Sequence, residues 1–168
     1  MNYFITGNVG AGKSSVISEL KKRGFAAYDT DEVDRATILI EKKTGKEVPW
    51  PDPPIDWSKY SYVWQPDKIK QLLNSGKPVF IGAIVGNQEN FYHLFDKIFV
   101  LDLDIETLKQ RILTRTSKGY GKHPTQLAEI LEYHKELNPE LLSLDKSIAI
   151  DSTKSLKQVV DDILANLK

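Results

Sequence analysis

The stretch Gly7-Asn8-Val9-Gly10-Ala11-Gly12-Lys13-Ser14 follows the spacing G-x-x-x-x-G-K-[ST], and its reading decides the architecture of the 168-residue chain. Glycines let such a loop take backbone angles closed to residues with a Cβ, so that successive N–H groups can converge on phosphate oxygens. Lys13 adds a full positive charge for the β and γ phosphates. The Ser14 hydroxyl suits the shell of a Mg²⁺ ion, and Ser15 adds a further donor. The loop needs a strand before it and a helix after it, because a helix N-terminus brings unpaired N–H groups and partial positive charge to an anion. Both are predicted here. Tyr3-Phe4-Ile5-Thr6 is β-prone, and Ser14 to Arg23 carries Val16, Ile17 and Leu20 at helical spacing before Gly24. The expected ligand is a nucleoside triphosphate, ATP with Mg²⁺.

Outward from this loop, short apolar runs alternate with helical patterns. Phe25 to Tyr28 reads as a second strand, and Thr30 or Asp31 caps a predicted helix with Val33, Ala36, Thr37 and Ile40 inward, ending at Gly45. Lys46 to Trp57 holds Pro49, Pro51, Pro53 and Pro54, which neither a helix nor a central strand accepts, so a surface loop is expected. Pro66-Asp67 opens a short helix ending at Ser75-Gly76, Pro78 to Ala83 is the third strand and Ile98 to Leu101 the fourth. Helices follow from Asp104 to about Thr116 and from Gln126 to Leu137, separated by a glycine-containing flap at 117–124. Ser147 to Ile150 is the fifth strand. Ser155 and Gln158 form a capping box for a last helix with Leu156, Val159, Val160, Ile163, Leu164 and Leu167 on one stripe. This alternation predicts an α/β fold, a five-stranded parallel sheet covered on both faces, in one domain.

In such sheets ligands bind beyond the carboxyl ends of the strands. Strand two ends in Asp29-Thr30-Asp31, whose carboxylates can orient Mg²⁺ or accept the proton of an attacking hydroxyl, or merely cap a helix. Arg35, one turn on, can hold an acceptor anion or pair at the surface. Asn87 and Gln88, after strand three, can hydrogen-bond a base or sugar, although Asn87 also suits a helix cap. Arg111 and Arg115 share a helix face with Leu108 and can reach bound phosphates, or pair with Glu106. Asp151 to Lys154, including Thr153, can edge the nucleotide base or form a plain turn. Trp50, Trp57, Tyr60, Tyr62 and Trp64 can stack on a ligand or anchor the proline loop to the core. His123 reads as a helix-entry residue.

Composition narrows the partners. With 23 Lys plus Arg against 23 Asp plus Glu, no global field favours nucleic acid or an anionic membrane. The absence of cysteine excludes disulfides and thiolate chemistry, and suits a reducing compartment. No apolar run reaches the length of a membrane span, and the N-terminus reads as a strand rather than a signal segment. A cytoplasmic protein, monomer or homodimer, is expected.

The phosphate loop, Asp29-Thr30-Asp31, the Arg111 to Arg115 helix and the flap together resemble the P-loop small-molecule and nucleotide kinases over most of the chain. Gly24 to Asp31 is similar to shikimate kinases, and the first forty residues to dephospho-coenzyme A kinases. The resemblance implies the three-layer P-loop NTPase fold and transfer of the γ-phosphoryl group of ATP to a small acceptor, foremost a nucleotide or nucleoside. It further implies that Asp29 and Asp31 serve Mg²⁺ and the acceptor hydroxyl, and that Arg111 and Arg115 serve phosphate. Shikimate kinases carry a triple glycine after strand three, where this chain has Gly82-Ala83-Ile84-Val85-Gly86. The alternatives are a shikimate-type or dephospho-coenzyme A-type kinase, or a regulatory module that binds nucleotide without chemistry.

Overall fold

The side chains of β1 (Asn2–Thr6) divide between two cores, with Tyr3 and Ile5 in one and Phe4 in the other. A strand buried on both faces belongs inside a sheet. β5 (Val79–Gly82) and β6 (Lys97–Asp102) flank it in parallel, and β2 (Ala26–Asp29) and β7 (Ser147–Asp151) complete the order β2-β5-β1-β6-β7. The computed structural model describes residues 1–52, 55–116 and 120–167. On one face lie α1 (Lys13–Lys22) and α5 (Leu156–Ala165), which bury Val16, Ile17, Leu20, Val159, Val160 and Ile163 against Tyr3, Ile5, Phe80 and Phe99. On the other lie α2 (Pro66–Leu73), a 3₁₀ turn at Gln88–Leu94 and the later turns of α4 (Pro124–Leu142), through Ile69, Phe91, Leu137 and Leu141. Helix, sheet and helix therefore form three layers, and the sheet is parallel throughout, as the alternating pattern predicts. The capping box of Ser155 and Gln158 is formed at the start of α5.

α3 (Ile105–Thr114) leans over the phosphate loop. Leu108 and Ile112 share a core with Ala11 and with Ile130 of α4. Asp104 caps α3 by accepting from the Thr107 amide at 2.8 Å.

The predicted helix from Thr30 or Asp31 to Gly45 is not formed. After a turn in which Arg35 has φ 56°, the chain enters β3 (Thr37–Glu41), paired antiparallel with β4 (Tyr60–Trp64). Thr37, Ile38 and Ile40 are β-branched, and the aromatic run of β4 offers a pleated partner. That pairing is non-local, so a reading of local period misses it. The proline loop is also less free than expected at its start. Lys46 to Val48 run back along β3, with the Glu41 amide donating to Lys46 O at 2.9 Å and the Val48 amide to Leu39 O at 2.9 Å. Pro53 and Pro54 of the expected loop, and Ser117, Lys118 and Gly119 of the expected flap, lie outside the described residues. The rest of the flap, Tyr120 to His123, is a turn into α4, pinned by the Gly121 amide donating to Gln126 Oε1 at 3.0 Å.

The hairpin is fastened to the carboxyl edge of the sheet by the segment after β5. The Gly86 amide donates to Tyr62 O at 2.7 Å, and a Cβ on Gly86 would stand 2.3 Å from Ser61 Oγ. Asn87 grips the next residue pair, its Oδ1 accepting from the Trp64 amide at 2.9 Å and its Nδ2 donating to Trp64 O at 3.1 Å. Trp64 itself is buried and edge-on to Phe4 and Phe91, and its indole N–H donates to Thr30 Oγ1 at 3.0 Å.

Candidate active site

All five parallel strands end at one edge, and there a cavity of about 1300 Å³ opens. Its floor is the phosphate loop, Asn8 to Ser15. Gly12, with φ 106°, stands as the N-cap of α1 and turns the chain into the helix. Gly10, with φ 91°, passes so close to α3 that a Cβ would lie 2.9 Å from Ile112 Cγ1. The loop thus needs both the backbone freedom and the missing side chain. Lys13 folds back over the loop, its Nζ donating to Gly7 O at 2.8 Å and Asn8 O at 3.0 Å. Asn8 is buried; its side chain accepts from the Val9 amide at 2.7 Å and donates to Ile130 O at 2.9 Å, locking the loop to α4.

On the β6–β7 side the wall is cationic. Arg111 donates to Ala11 O at 3.2 Å and to Ser152 O at 2.6 Å, which ties α3 to the loop on one side and to the end of β7 on the other. Arg115, the C-cap of α3, donates to the Tyr120 carbonyl, and its burial pulls the guanidinium below its ordinary pKa. Lys154 also faces the cavity, paired with Asp162 at 2.8 Å.

On the β2–β5 side the wall is acidic and aromatic. Asp29 is buried at the end of β2, its Oδ1 accepting from the Asp31 amide at 3.1 Å. Asp31 is exposed and accepts from the Tyr62 hydroxyl at 3.1 Å. Tyr62 also touches the Thr37 hydroxyl, and burial, with Asp31 and Asp29 nearby, pushes its phenol up to about 12. Trp50 packs at 5.4 Å from Tyr62 and 6.5 Å from Trp57, and the Trp57 indole N–H donates to Tyr120 OH at 2.9 Å. The aromatic arch therefore reaches from the hairpin across to the turn before α4. Lys42 supports it by donating to Trp57 O at 2.8 Å.

Of the residues singled out from sequence, the cavity gathers Asn8, Val9, Gly10, Ala11, Gly12, Lys13, Ser14, Ser15, Asp29, Asp31, Arg111 and Arg115. Gly7 lies just behind it, as the carbonyl that receives Lys13. Four others are placed elsewhere. Arg35 is exposed and pairs with Glu47 at 2.8 Å. Asn87 is spent on the Trp64 backbone, and Gln88 is buried, accepting from the Val85 amide at 3.3 Å and donating to Tyr92 OH at 3.0 Å. Thr153 closes a turn onto Asp151, through its amide at 3.0 Å and its hydroxyl at 2.6 Å. Of the aromatic cluster, Trp64 anchors the hairpin to the core, while Trp50, Trp57, Tyr60 and Tyr62 line the cavity. Lys42, Asp56 and Tyr133 carried no sequence signal; the non-local hairpin and the approach of α4 bring them to the wall.

Ser14 and Asp29 present oxygen donors to this same cavity, a set that suits a hard cation holding phosphates and water. Among the described residues no group of three or more His, Cys, Asp or Glu side chains forms a metal cage. The donor set fits a Mg²⁺ that arrives with its nucleotide.

Comparison with known proteins agrees with this geometry. The sequence profile of the family described as "AAA domain" matches residues 4–132. A dephospho-CoA kinase of Streptococcus pyogenes serotype M28 (strain MGAS6180) is 23% identical over 190 aligned positions, covering 96% of this chain and 95% of the relative. Among solved structures, a gluconokinase from Sinorhizobium meliloti 1021 superposes with a TM-score of 0.60 at 18% identity, covering 98% of this chain and 89% of that one. A deoxyadenosine kinase from M. mycoides, with bound dATP, superposes with a TM-score of 0.59 at 16% identity, covering 99% of each. The chain belongs to the AAA domain family and has the three-layer P-loop fold shared by those kinases.

Proposed function

We propose that the protein is an ATP-dependent phosphotransferase acting on a small hydroxylated acceptor, a nucleotide or nucleoside foremost. The observation that carries this reading is the cavity joining the phosphate loop to Asp29 and Asp31. At about 1300 Å³ it exceeds the roughly 300–1000 Å³ usual for one small ligand, and its two ends differ in chemistry. A nucleotide sensor needs the first end and has no use for the second. The relatives named above are kinases of three different acceptors, which supports the reaction class and leaves the acceptor to the cavity walls.

In this reading the loop amides and Lys13 hold the β and γ phosphates, and Arg111 stands ready at the same end for charge that builds on the transferring group. Ser14, with Asp29 beside it, would hold a Mg²⁺ ion, which when bound would supply charge neutralisation at the phosphates. The acceptor hydroxyl oxygen bonds to the γ phosphorus as the bond to the β–γ bridging oxygen breaks. ADP carries away that electron pair, and the hydroxyl proton passes to Asp31 or Asp29. Arg115 and the aromatic arch close the cavity against water, which would otherwise compete as acceptor. Arg35, Asn87, Gln88 and Thr153 act from outside the cavity wall: Arg35 and Asn87 by holding the hairpin, Gln88 by holding the segment after β5, and Thr153 by holding the turn after β7. The protein works in the cytoplasm, as a monomer or homodimer, without nucleic acid or membrane.

The test is ADP formation from Mg-ATP by the purified protein, alone and with nucleosides, nucleoside monophosphates, shikimate, gluconate and dephospho-coenzyme A. The reading predicts stimulation by one class of compound. ADP formation at the same slow rate with every compound contradicts it and favours the regulatory module.

A further inference from the structure

The strand-end carboxylates of the cavity wall, Asp29 and Asp31, lie on the β2 side, and its arginines lie on the α3 side, which Glu129 of α4 also lines. Among the described residues its cations are Lys13, Lys42, Arg111, Arg115 and Lys154. Lys13 belongs to the phosphate loop, Arg111 is bonded to Ala11 O and Ser152 O, and Lys154 follows β7, all at or beyond the centre of the sheet away from β2. Arg115 is held by the Tyr120 carbonyl. On the β2 side the wall carries Asp29 and Asp31; Asp56, on the hairpin connection, is paired with Lys59 at 3.1 Å, and the Lys42 ammonium donates to Trp57 O at 2.8 Å. Arg35, the guanidinium that sequence places there, faces Glu47 outside the wall. A phosphate dianion beside β2 would meet the carboxylates of Asp29 and Asp31, while the nearest guanidinium along the aromatic arch, Arg115, is bonded to the Tyr120 carbonyl.

The remaining wall is made of rings. Trp50 is 57% exposed, so most of its surface has no protein partner, and it stands within 5.4 Å of Tyr62 and 6.5 Å of Trp57, at interplanar angles of 53° and 85°. Rings at such angles pack edge-on or tilted against one another, and the exposed part of Trp50 is left for a flat ligand ring to lie against. Ser61, Tyr60 and Tyr62 add hydroxyls to the same wall, and Tyr62 joins the ring cluster to Asp31, whose amide in turn donates to Asp29.

We infer, resting on the phosphotransferase reading above, that the acceptor is a flat-ringed compound bearing a free hydroxyl and no phosphate: a nucleoside rather than a nucleotide or dephospho-coenzyme A. Its ring lies against Trp50 and Trp57, and its hydroxyl is turned toward Asp31 and the γ phosphate. The product is then the monophosphate, whose new charge is repelled by the acidic wall, so product leaves more readily than acceptor.

The experiment compares kcat/KM for adenosine, deoxyadenosine, guanosine, cytidine and thymidine with that for each 5′-monophosphate, and with dephospho-coenzyme A, shikimate and gluconate, at saturating Mg-ATP. The expected result is at least one nucleoside favoured about tenfold or more over its own monophosphate and over all three other compounds. Trp50→Ala should raise the KM of that nucleoside by roughly 2–12-fold, the worth of one aromatic contact, and leave the KM of ATP unchanged. Preference for a monophosphate, for dephospho-coenzyme A, or for the ringless gluconate overturns this inference and leaves the phosphotransferase reading standing. Stimulation by no compound overturns both. An unchanged nucleoside KM in Trp50→Ala overturns the assignment of the ligand ring to Trp50.

Discussion

The two ends of the cavity are built by different means. At the phosphate-loop end the working groups are backbone amides and one lysine, fixed by Gly10 and Gly12 at positive φ, by Asn8 spanning to Ile130 and by Arg111 spanning to Ser152. At the hairpin end the working groups are side chains, Asp29, Asp31, Tyr62, Trp50 and Trp57, carried by a two-stranded sheet and its long connection. Backbone cradles recognise what every nucleoside triphosphate shares. Side chains on a loop can change without disturbing the sheet, so in the proposed reaction the hairpin end would tell one acceptor from another. The fastening between the ends is narrow: Gly86 N to Tyr62 O, Asn87 to Trp64, and Trp57 to Tyr120.

The largest effect should come from the phosphate-loop end. Lys13→Ala removes the charge that follows the phosphates, and kcat should fall on the order of 10³-fold with the circular dichroism spectrum and thermal midpoint preserved. Unchanged turnover would break the assignment of that end. Next, Asp31→Asn and Asp29→Asn, measured separately, should lower kcat by about 10²-fold or more in whichever residue takes the proton, with ATP affinity little changed. The other residue should show a smaller loss, so the pair sharpens the hairpin end to one carboxylate.

Asn87→Ala probes the fastening alone. Losing both bonds to the Trp64 backbone costs about 1–3 kcal/mol, a few degrees of Tm per kcal/mol in a chain of this size. It should raise the acceptor KM and leave ATP binding intact; a direct acceptor contact by Asn87 would instead show as lost affinity without lost stability. The smallest effect is that of Tyr62→Phe on pH dependence. Burial raises the Tyr62 phenol from its ordinary 10.0 to about 12, so the fold favours its neutral form. That contribution is fully present below pH 10 and is lost as pH rises through about 12. The variant should therefore show a shallower fall of Tm than the parent between pH 10 and 12, and the same slope at neutral pH.

Legibility in the sequence follows the same division. Gly7 to Ser15, Asp29, Asp31, Arg111 and Arg115 sit beside strand ends or on one helix face, where local pattern and the rule for parallel sheets locate them. The hairpin did not announce itself. Val33, Ala36, Thr37 and Ile40 fit a helical period, while the strand that Thr37 and Ile40 enter depends on Tyr60 to Trp64, across a proline-rich connection. Asn87 and Gln88 illustrate a second limit. Amide side chains at a strand end suit a ligand or a neighbouring backbone equally, and here Trp64, Val85 and Tyr92 take them. Lys42 and Asp56 reach the wall only because the hairpin connection folds over it.

The most direct test of the account follows the phosphorus itself. Protein is incubated with ATP labelled at the γ phosphate, Mg²⁺ and the acceptor that best stimulates ADP formation. The account predicts label in a phosphorylated acceptor in equal amount to ADP, with almost none as inorganic phosphate. Label released only as inorganic phosphate, or ATP bound tightly and left intact with every acceptor, would contradict it.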